Sequence, residues 1–493
     1  MTEYEIYGLL AVALAVCFAN WRTGVFMCFV VGFLQDPTRK MVADQPVFFT
    51  ALVGAPLAMT LLGAHLRRVR ISFKPIHAWN KSLKLPLGLF VLLVLAQTIV
   101  GFINTGSAII AGIGLLAYLA PLPAILLGYQ FSRNAKDIIK LIKFYVIGSI
   151  LMLSGIYLSY LGYDWKALIS VGEGLVAFAP TGEKLVLYSG FFRSPEIAAW
   201  HAGAAVCCLI VLVSLTRGQT ISKLAAGALA PFLLGAILFT GRRKFLVEIF
   251  LFVSSYGLLL LWSQRSAIKS AALMRVALVF ASGVAAASVG YIFLASDVTT
   301  TKALPYYSRG ASVQKDVGER VSGMALESFQ YVIAQNGVLG SGAGTGSQGA
   351  QHFGGGSRIT GAAAEGGFAK VLAELGVPGL VLLLWLAISL ARYLWSVLSL
   401  IRDADPQLAR VTFGLLAFLV TNGFVYAIAH QVFGDPFVLI ILGFLLGFVM
   451  AMPKIVQRPQ MFSVRMADAP LSAFDPIKAQ PQMTQMSQIR RTN

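Results

Sequence analysis

Residues 221–262 read ISKLAAGALAPFLLGAILFTGRRKFLVEIFLFVSSYGLLLLW. Two apolar runs, 221–239 and 244–262, are each long enough to cross a bilayer as a helix, and only Thr240-Gly241-Arg242-Arg243-Lys244 divides them. A turn that short joins two antiparallel helices. The same pattern recurs outward in both directions, at 5–20, 22–35, 46–64, 85–104, 108–131, 141–161, 195–215, 274–294, 374–399, 408–429 and 434–452. The first two runs meet at Asn20-Trp21-Arg22 and form either two helices or one bent helix. The chain therefore reads as an all-α polytopic membrane protein with about 12–13 transmembrane helices.

Composition agrees. Of 493 residues, 57% are apolar and only 12% charged, and the mean hydropathy is +0.76. No soluble interior hides that much apolar surface, and strong burial excludes disorder. The formal charge of +18 reads as topology rather than nucleic-acid binding. Arg67, Arg68, Arg70, Lys74, Lys81 and Lys84 crowd one loop, and Arg133, Lys136, Lys140 and Lys143 the next. Arg217, Lys223, Arg265, Lys269, Arg275, Arg402, Arg410 and the tail continue the series. All fall on one side when the spans alternate, and the positive-inside rule makes that side cytoplasmic. Cys17, Cys28, Cys207 and Cys208 lie inside apolar runs and read as packing residues. Glu3 and Glu5, with no basic residues beside them, speak against a cleaved signal peptide.

The spans divide the chain into an N-terminal bundle (1–294), a large outer loop (295–373), C-terminal spans (374–452) and a tail (453–493) read as disordered. Within the outer loop, 316–335 has helical spacing of apolar residues and predicts an amphipathic helix on the membrane surface. The glycines of 337–361 predict a mobile flap. They match neither a Walker loop nor a dinucleotide fingerprint.

Cations that defy the sidedness are the informative ones. Arg242, Arg243 and Lys244 stand at the outer start of a helix, where backbone N–H groups and the dipole already favour an anion. They either snorkel toward head groups or hold a ligand, and three adjacent cations exceed what anchoring needs. Ser194, Pro195 and Glu196 spell a helix start, N-cap through first turn, but Arg193 beside them does not fit that grammar and reads as an anion contact. His201 reads as a satisfied interior histidine. Arg320 reads equally as a surface charge or a substrate contact. Glu374 has Lys370 one turn earlier as an ion-pair partner. Glu365 has no local partner, so it reads either as a first-turn acid or as a general base.

In order, these features resemble the O-antigen ligase and polymerase superfamily of bacterial membrane glycosyltransferases. The matching pieces are Gly190-Phe191-Phe192-Arg193-Ser194-Pro195-Glu196, Thr240-Gly241-Arg242-Arg243, Arg320, Gly340-x-Gly342-x-Gly344, and Glu365 with Leu372-Ala373-Glu374-Leu375-Gly376-Val377-Pro378-Gly379. Glu365 stands where ligases carry His, which leans toward a polymerase. Gly366 and Gly241 also depart from the family pattern. The resemblance implies a GT-C-like fold in the bacterial inner membrane with its active site on the periplasmic face. It implies an inverting, metal-independent transfer without cofactor from a polyprenyl-diphosphate-linked oligosaccharide donor to a saccharide acceptor. Arg193, Arg242, Arg243 and Arg320 would bind the diphosphate, and Glu365 would take the acceptor proton. Membrane lipid, a flippase and a chain-length regulator are the implied partners, and nucleic acid is not. A ligase, or a transporter or flippase of the same lipid-linked sugars, are the rival readings.

Overall fold

In a computed structural model the chain is a helical bundle. The residues described are 3–43, 45–69, 71–73, 81–169, 171, 176–178, 184–215, 220–263, 277, 305–306, 309, 327–347, 350, 366–402 and 405–467. Helices α1 (Glu3–Ala19) and α2 (Trp21–Met41) are separate, because Asn20 leaves the helical region and its side chain accepts from the N–H groups of Arg22 and Thr23. Then follow α3 (Gly54–Leu66), α4 (Lys84–Thr105), α5 (Ala108–Leu119), α6 (Pro121–Phe131) and α7 (Ala135–Tyr160). A small antiparallel hairpin of β1 (Val176–Phe178) and β2 (Lys184–Val186) precedes α8 (Pro195–Leu215), α9 (Thr220–Thr240) and α10 (Lys244–Trp262). The chain closes with α11 (Glu327–Asn336), α12 (Gly367–Ile401), α13 (Pro406–Ile428) and α14 (Pro436–Ala467).

Among the described residues, nine helices are long and apolar enough to cross a membrane. Helix α1 is 17 residues long, and α2 carries Arg22, Asp36, Arg39 and Lys40. The expected span 274–294 lies outside the described residues, all but position 277. We call the end of the bundle holding Asn20 and the 132–134 turn the tail end, and the opposite end, holding 162–194, the loop end. At the tail end Arg22 pairs with Asp137 at 2.8 Å.

One apolar core runs from Trp21 in α2 to Ile455 in α14. The expected division between N-terminal and C-terminal spans is therefore not a division of the core. A close seam joins α6 to α14, where a Cβ on Gly443 or Gly447 would stand 2.6 Å from Pro121 O or 2.3 Å from Ile125 O. Small residues four apart let two backbones close in this way. Helix α14 also runs to Ala467, so the tail is helical through its first fifteen positions.

The first part of the glycine-rich stretch departs from its expectation, while 348, 349 and 351–361 lie outside the described residues. Residues 337–347 are pinned as a wedge between α4, α5 and α12. Ala343 N–H donates to Gln97 O (2.8 Å), Gln97 Nε2 to Leu339 O (2.8 Å), and Asn104 Nδ2 to Ser341 O (2.8 Å). Helix α12 breaks at Gly376 (φ +68°), two residues before Pro378. The wedge meets the groups left over at that break. Ala373 O and Glu374 O accept from the N–H groups of Ser341 and Gly342, and Val377 N–H donates to Val338 O. Backbone inside a membrane bundle needs such partners. Glu374, wholly buried, is not paired to Lys370. Its carboxylate accepts from Tyr118 Oη (2.7 Å) and Gly346 N–H (3.1 Å). Only glycine fits at 342 and 344, where φ is +104° and +92° and a Cβ would lie 2.2 Å from Gly101 N and 2.1 Å from Ile110 O. Of the expected surface helix, 316–326 lies outside the described residues, and the rest is packed inward: Val332 of α11 is buried against Ala369, Leu372 and Ala373 of α12.

Gly344→Ala should therefore lower stability by about 1–3 kcal/mol through backbone strain and overlap. Gly112→Ala, with nothing within 4 Å of its Cβ, should stabilise slightly. Melting of the two purified variants in detergent checks this, and equal melting would contradict the wedge.

Candidate functional site

The loop end gathers charge. Helix α2 brings Asp36 and Lys40 there one turn apart, both nearly fully buried. Lys40 Nζ donates to Gly190 O (2.7 Å) and Phe192 O (2.6 Å), which fixes the approach to α8. Gly190 (φ +57°) bends the chain at that point against Ile156 of α7. Ser194 then caps α8 as its sequence implied, its Oγ accepting from Ile197 N–H (3.4 Å).

Between Lys40 and the cap sits Arg193. Its N–H donates to Asp36 Oδ2 (3.0 Å), and its Nη1 lies 3.5 Å from Asp36 Oδ1 and 2.5 Å from Asp435 Oδ2. Burial alone would favour the neutral form. The two carboxylates, Asp435 ahead of Asp36, outweigh it and push the guanidinium pKa up. Asp435 also starts α14, its Oδ1 accepting from the N–H groups of Phe437 (2.7 Å) and Val438 (3.0 Å). Arg193 thus ties α2, α8 and α14 together. The anion contact expected of it is supplied by the protein's own carboxylates.

A second cluster lies three residues further along α8. Glu196, 8% exposed, pairs with Arg242 Nε at 3.1 Å and with Lys244 Nζ. Lys244 Nζ also donates to Gln431 Oε1 (3.4 Å). Gly241 (φ +65°) makes the turn between α9 and α10 that presents these cations. On its other side Arg243 Nη1 donates to Arg309 O, and Arg309 Nε donates to Gly241 O, both at 3.3 Å. The adjacent arginines thus make different contacts, Arg242 with Glu196 of α8 and Arg243 with Arg309. The side chains of Arg242 and Lys244 keep 30% and 23% of their surface open.

Below the mouth the polar groups are fully enclosed. Glu248 is one turn beyond Lys244 on α10. Its Oε1 accepts from Asn422 Nδ2 (3.2 Å), Asn422 Oδ1 accepts from Trp200 Nε1 (2.8 Å), and Oε2 has no hydrogen-bond partner. His201 is buried too. Its Nδ1 is 3.0 Å from Tyr145 Oη and its ring stacks on Phe192, but Nε2 has no partner, so the expected satisfied histidine is satisfied on one side only.

The structure brings Arg193, Arg242 and Arg243 to one end of the bundle. Glu365 and Arg320 lie outside the described residues. Sequence reasoning missed Asp36, Lys40, Asp435, Glu248 and Arg309. The signal for Glu248 was present, a single acid in an otherwise apolar run, whereas Asp36 and Asp435 are 399 positions apart and only the fold pairs them. Among the described residues no three His, Cys, Asp or Glu side chains could hold a metal ion. The sequence matches no protein-family model and no curated protein.

Arg193→Ala would strand two buried carboxylates and should cost about 3–5 kcal/mol. Detergent unfolding of the purified variant reads this directly, and wild-type stability would show that the three helices do not depend on it.

Proposed function

We propose that the chain is a polysaccharide polymerase that transfers sugar repeat units from a polyprenyl-diphosphate-linked donor to a saccharide acceptor on the outer face of a bacterial inner membrane. One observation carries the proposal. Arg242, Arg243, Lys244 and Arg309 converge on a single turn at the loop end, where Glu196 pairs with Arg242 and Lys244. This end is opposite the basic loops, so topology does not account for the cations. The order of motifs resembling the O-antigen ligase and polymerase superfamily supports the same reading.

The chemistry follows from the charges. Breaking the bond between sugar and polyprenyl diphosphate leaves negative charge on the diphosphate, and prepositioned guanidinium groups stabilise it as it develops. Arg242 and Arg243 would do this, with Arg320 added by the resemblance. Glu365 would take the proton of the acceptor hydroxyl as its oxygen attacks the anomeric carbon, with inversion. Arg193, already held by Asp36 and Asp435, would set the position of α8 and hence of the mouth.

A transporter or flippase of lipid-linked sugars is the second reading. The observation that favours it is Glu248, an enclosed carboxylate with one oxygen unpartnered, since ionisable groups within spans often mark transport paths.

The two separate cleanly in a strain lacking the chain, by profiling its lipid-linked oligosaccharides. A polymerase defect leaves single repeat units on lipid, a ligase defect leaves long lipid-linked polymer, and a flippase defect leaves units on the cytoplasmic side. Arg242→Ala, Arg243→Ala and Glu365→Gln should each abolish polymer while the protein inserts normally. Wild-type polymer in all three would refute the enzyme reading.

A further inference from the structure

Helix α12 begins without a side-chain cap. Its N-cap residue is Gly366, which has nothing to offer the first turn. The earliest helical bond there runs from Lys370 N–H to Gly366 O (3.1 Å), and among the described residues the N–H groups of Gly367, Phe368 and Ala369 have no acceptor. The end of α13 closes on this start from one side. Tyr426 Oη donates to Gly367 O (3.2 Å), and a Cβ on Gly366 would stand 2.9 Å from Ala427 O. Four residues beyond Ala427, Gln431 Oε1 accepts from Lys244 Nζ (3.4 Å), so the start of α12 belongs to the loop end. Lys370, the fourth residue of α12, is only 5% exposed. Lysine is almost never buried to that extent unless it is paired. Among the described residues its ammonium has neither an ion-pair nor a hydrogen-bond partner, and Glu374 one turn later is engaged by Tyr118 and Gly346. The position is also adverse for a cation, because first-turn N–H groups and the helix dipole favour negative charge. Helical side chains lean toward the N-terminus, so a lysine at the fourth position reaches back over that same turn.

We propose that the start of α12 is an oxyanion seat, in which Lys370 and the N–H groups of residues 367–369 hold one phosphoryl group of the lipid-linked substrate. The inference rests on the diphosphate reading above and adds to it a second contact, separate from the α9–α10 turn. A neutral acceptor would satisfy the N–H groups but leave the ammonium uncompensated, and a buried charge without a counterion is costly. A phosphoryl group answers both demands. It brings several acceptor oxygens to the backbone and negative charge to the lysine, as anions do at other helix starts. Lysine suits the task as a compact point charge with three donors.

Removing an unpaired buried charge and removing a structural one have opposite effects on the empty protein. Lys370→Met, close to lysine in length, should melt at or above the wild-type temperature when the full-length protein is purified in detergent. It should at the same time bind farnesyl diphosphate about tenfold more weakly. Lys370→Arg keeps the charge and should bind more tightly than Lys370→Met. Inorganic pyrophosphate, run alongside, separates the sources of the anion. Weaker binding of farnesyl diphosphate, with or without the same loss for pyrophosphate, is the expected result, whereas a loss confined to pyrophosphate overturns the assignment to a lipid-linked substrate. A Lys370→Met protein that melts lower or does not fold marks the lysine as structural and overturns the seat, as does wild-type affinity for both probes. If the wild-type protein binds neither probe, the diphosphate reading fails as well. If Arg242→Ala loses binding while Lys370→Met keeps it, the seat alone fails.

Discussion

A guanidinium with a carboxylate on either side is the constraint on which the loop end depends. Arg193 comes from the approach to α8, Asp36 from the end of α2 and Asp435 from the start of α14. Each charge would be costly to bury alone, and in a low-dielectric surrounding the three are tolerable only together. Lys40 adds the backbone of Gly190 and Phe192 to the same knot. The start of α8 therefore has a fixed place relative to two helices from opposite ends of the sequence. Glu196, three residues on, meets the α9–α10 turn because of that placement.

On the other flank the constraint is backbone rather than charge. Helix α12 is interrupted at Gly376, and the groups freed there have no water to turn to. The wedge supplies them, and its glycines are what allow a strand of backbone to lie against Gly101 and Ile110 with no side chain between. Glu374 secures both pieces, taking one hydrogen bond from α5 and one from the wedge. Neither region forms from local preference alone; both are set by contacts between distant segments.

The helices themselves were legible, because a run of apolar residues near bilayer length has few other uses. Ser194-Pro195-Glu196 announced a helix start, and Ser194 caps one. Asn20 was visible as an interruption but not as the cap that separates α1 from α2. At 337–347 the glycines misled: freedom in the chain reads as mobility, while the fold uses it for close approach. Lys370 looked like the partner of Glu374 because helical neighbours are all that a sequence offers, yet Tyr118 lies 256 positions away. The same limit hid the partners of Arg193. Gathering Arg193, Arg242 and Arg243 at one end was foreseeable from the alternation of spans. That one of them is already neutralised was not.

The wedge has a consequence for how the molecule is made. Its docking surfaces are Gln97 and Gly101 on α4, Ile110 on α5, and the broken turn of α12, which leaves the ribosome last. Until Gly376 has emerged, the segment at 337–347 has only half of its eventual partners. Completion of the wedge therefore waits for the broken turn of α12, the last of these surfaces to be made.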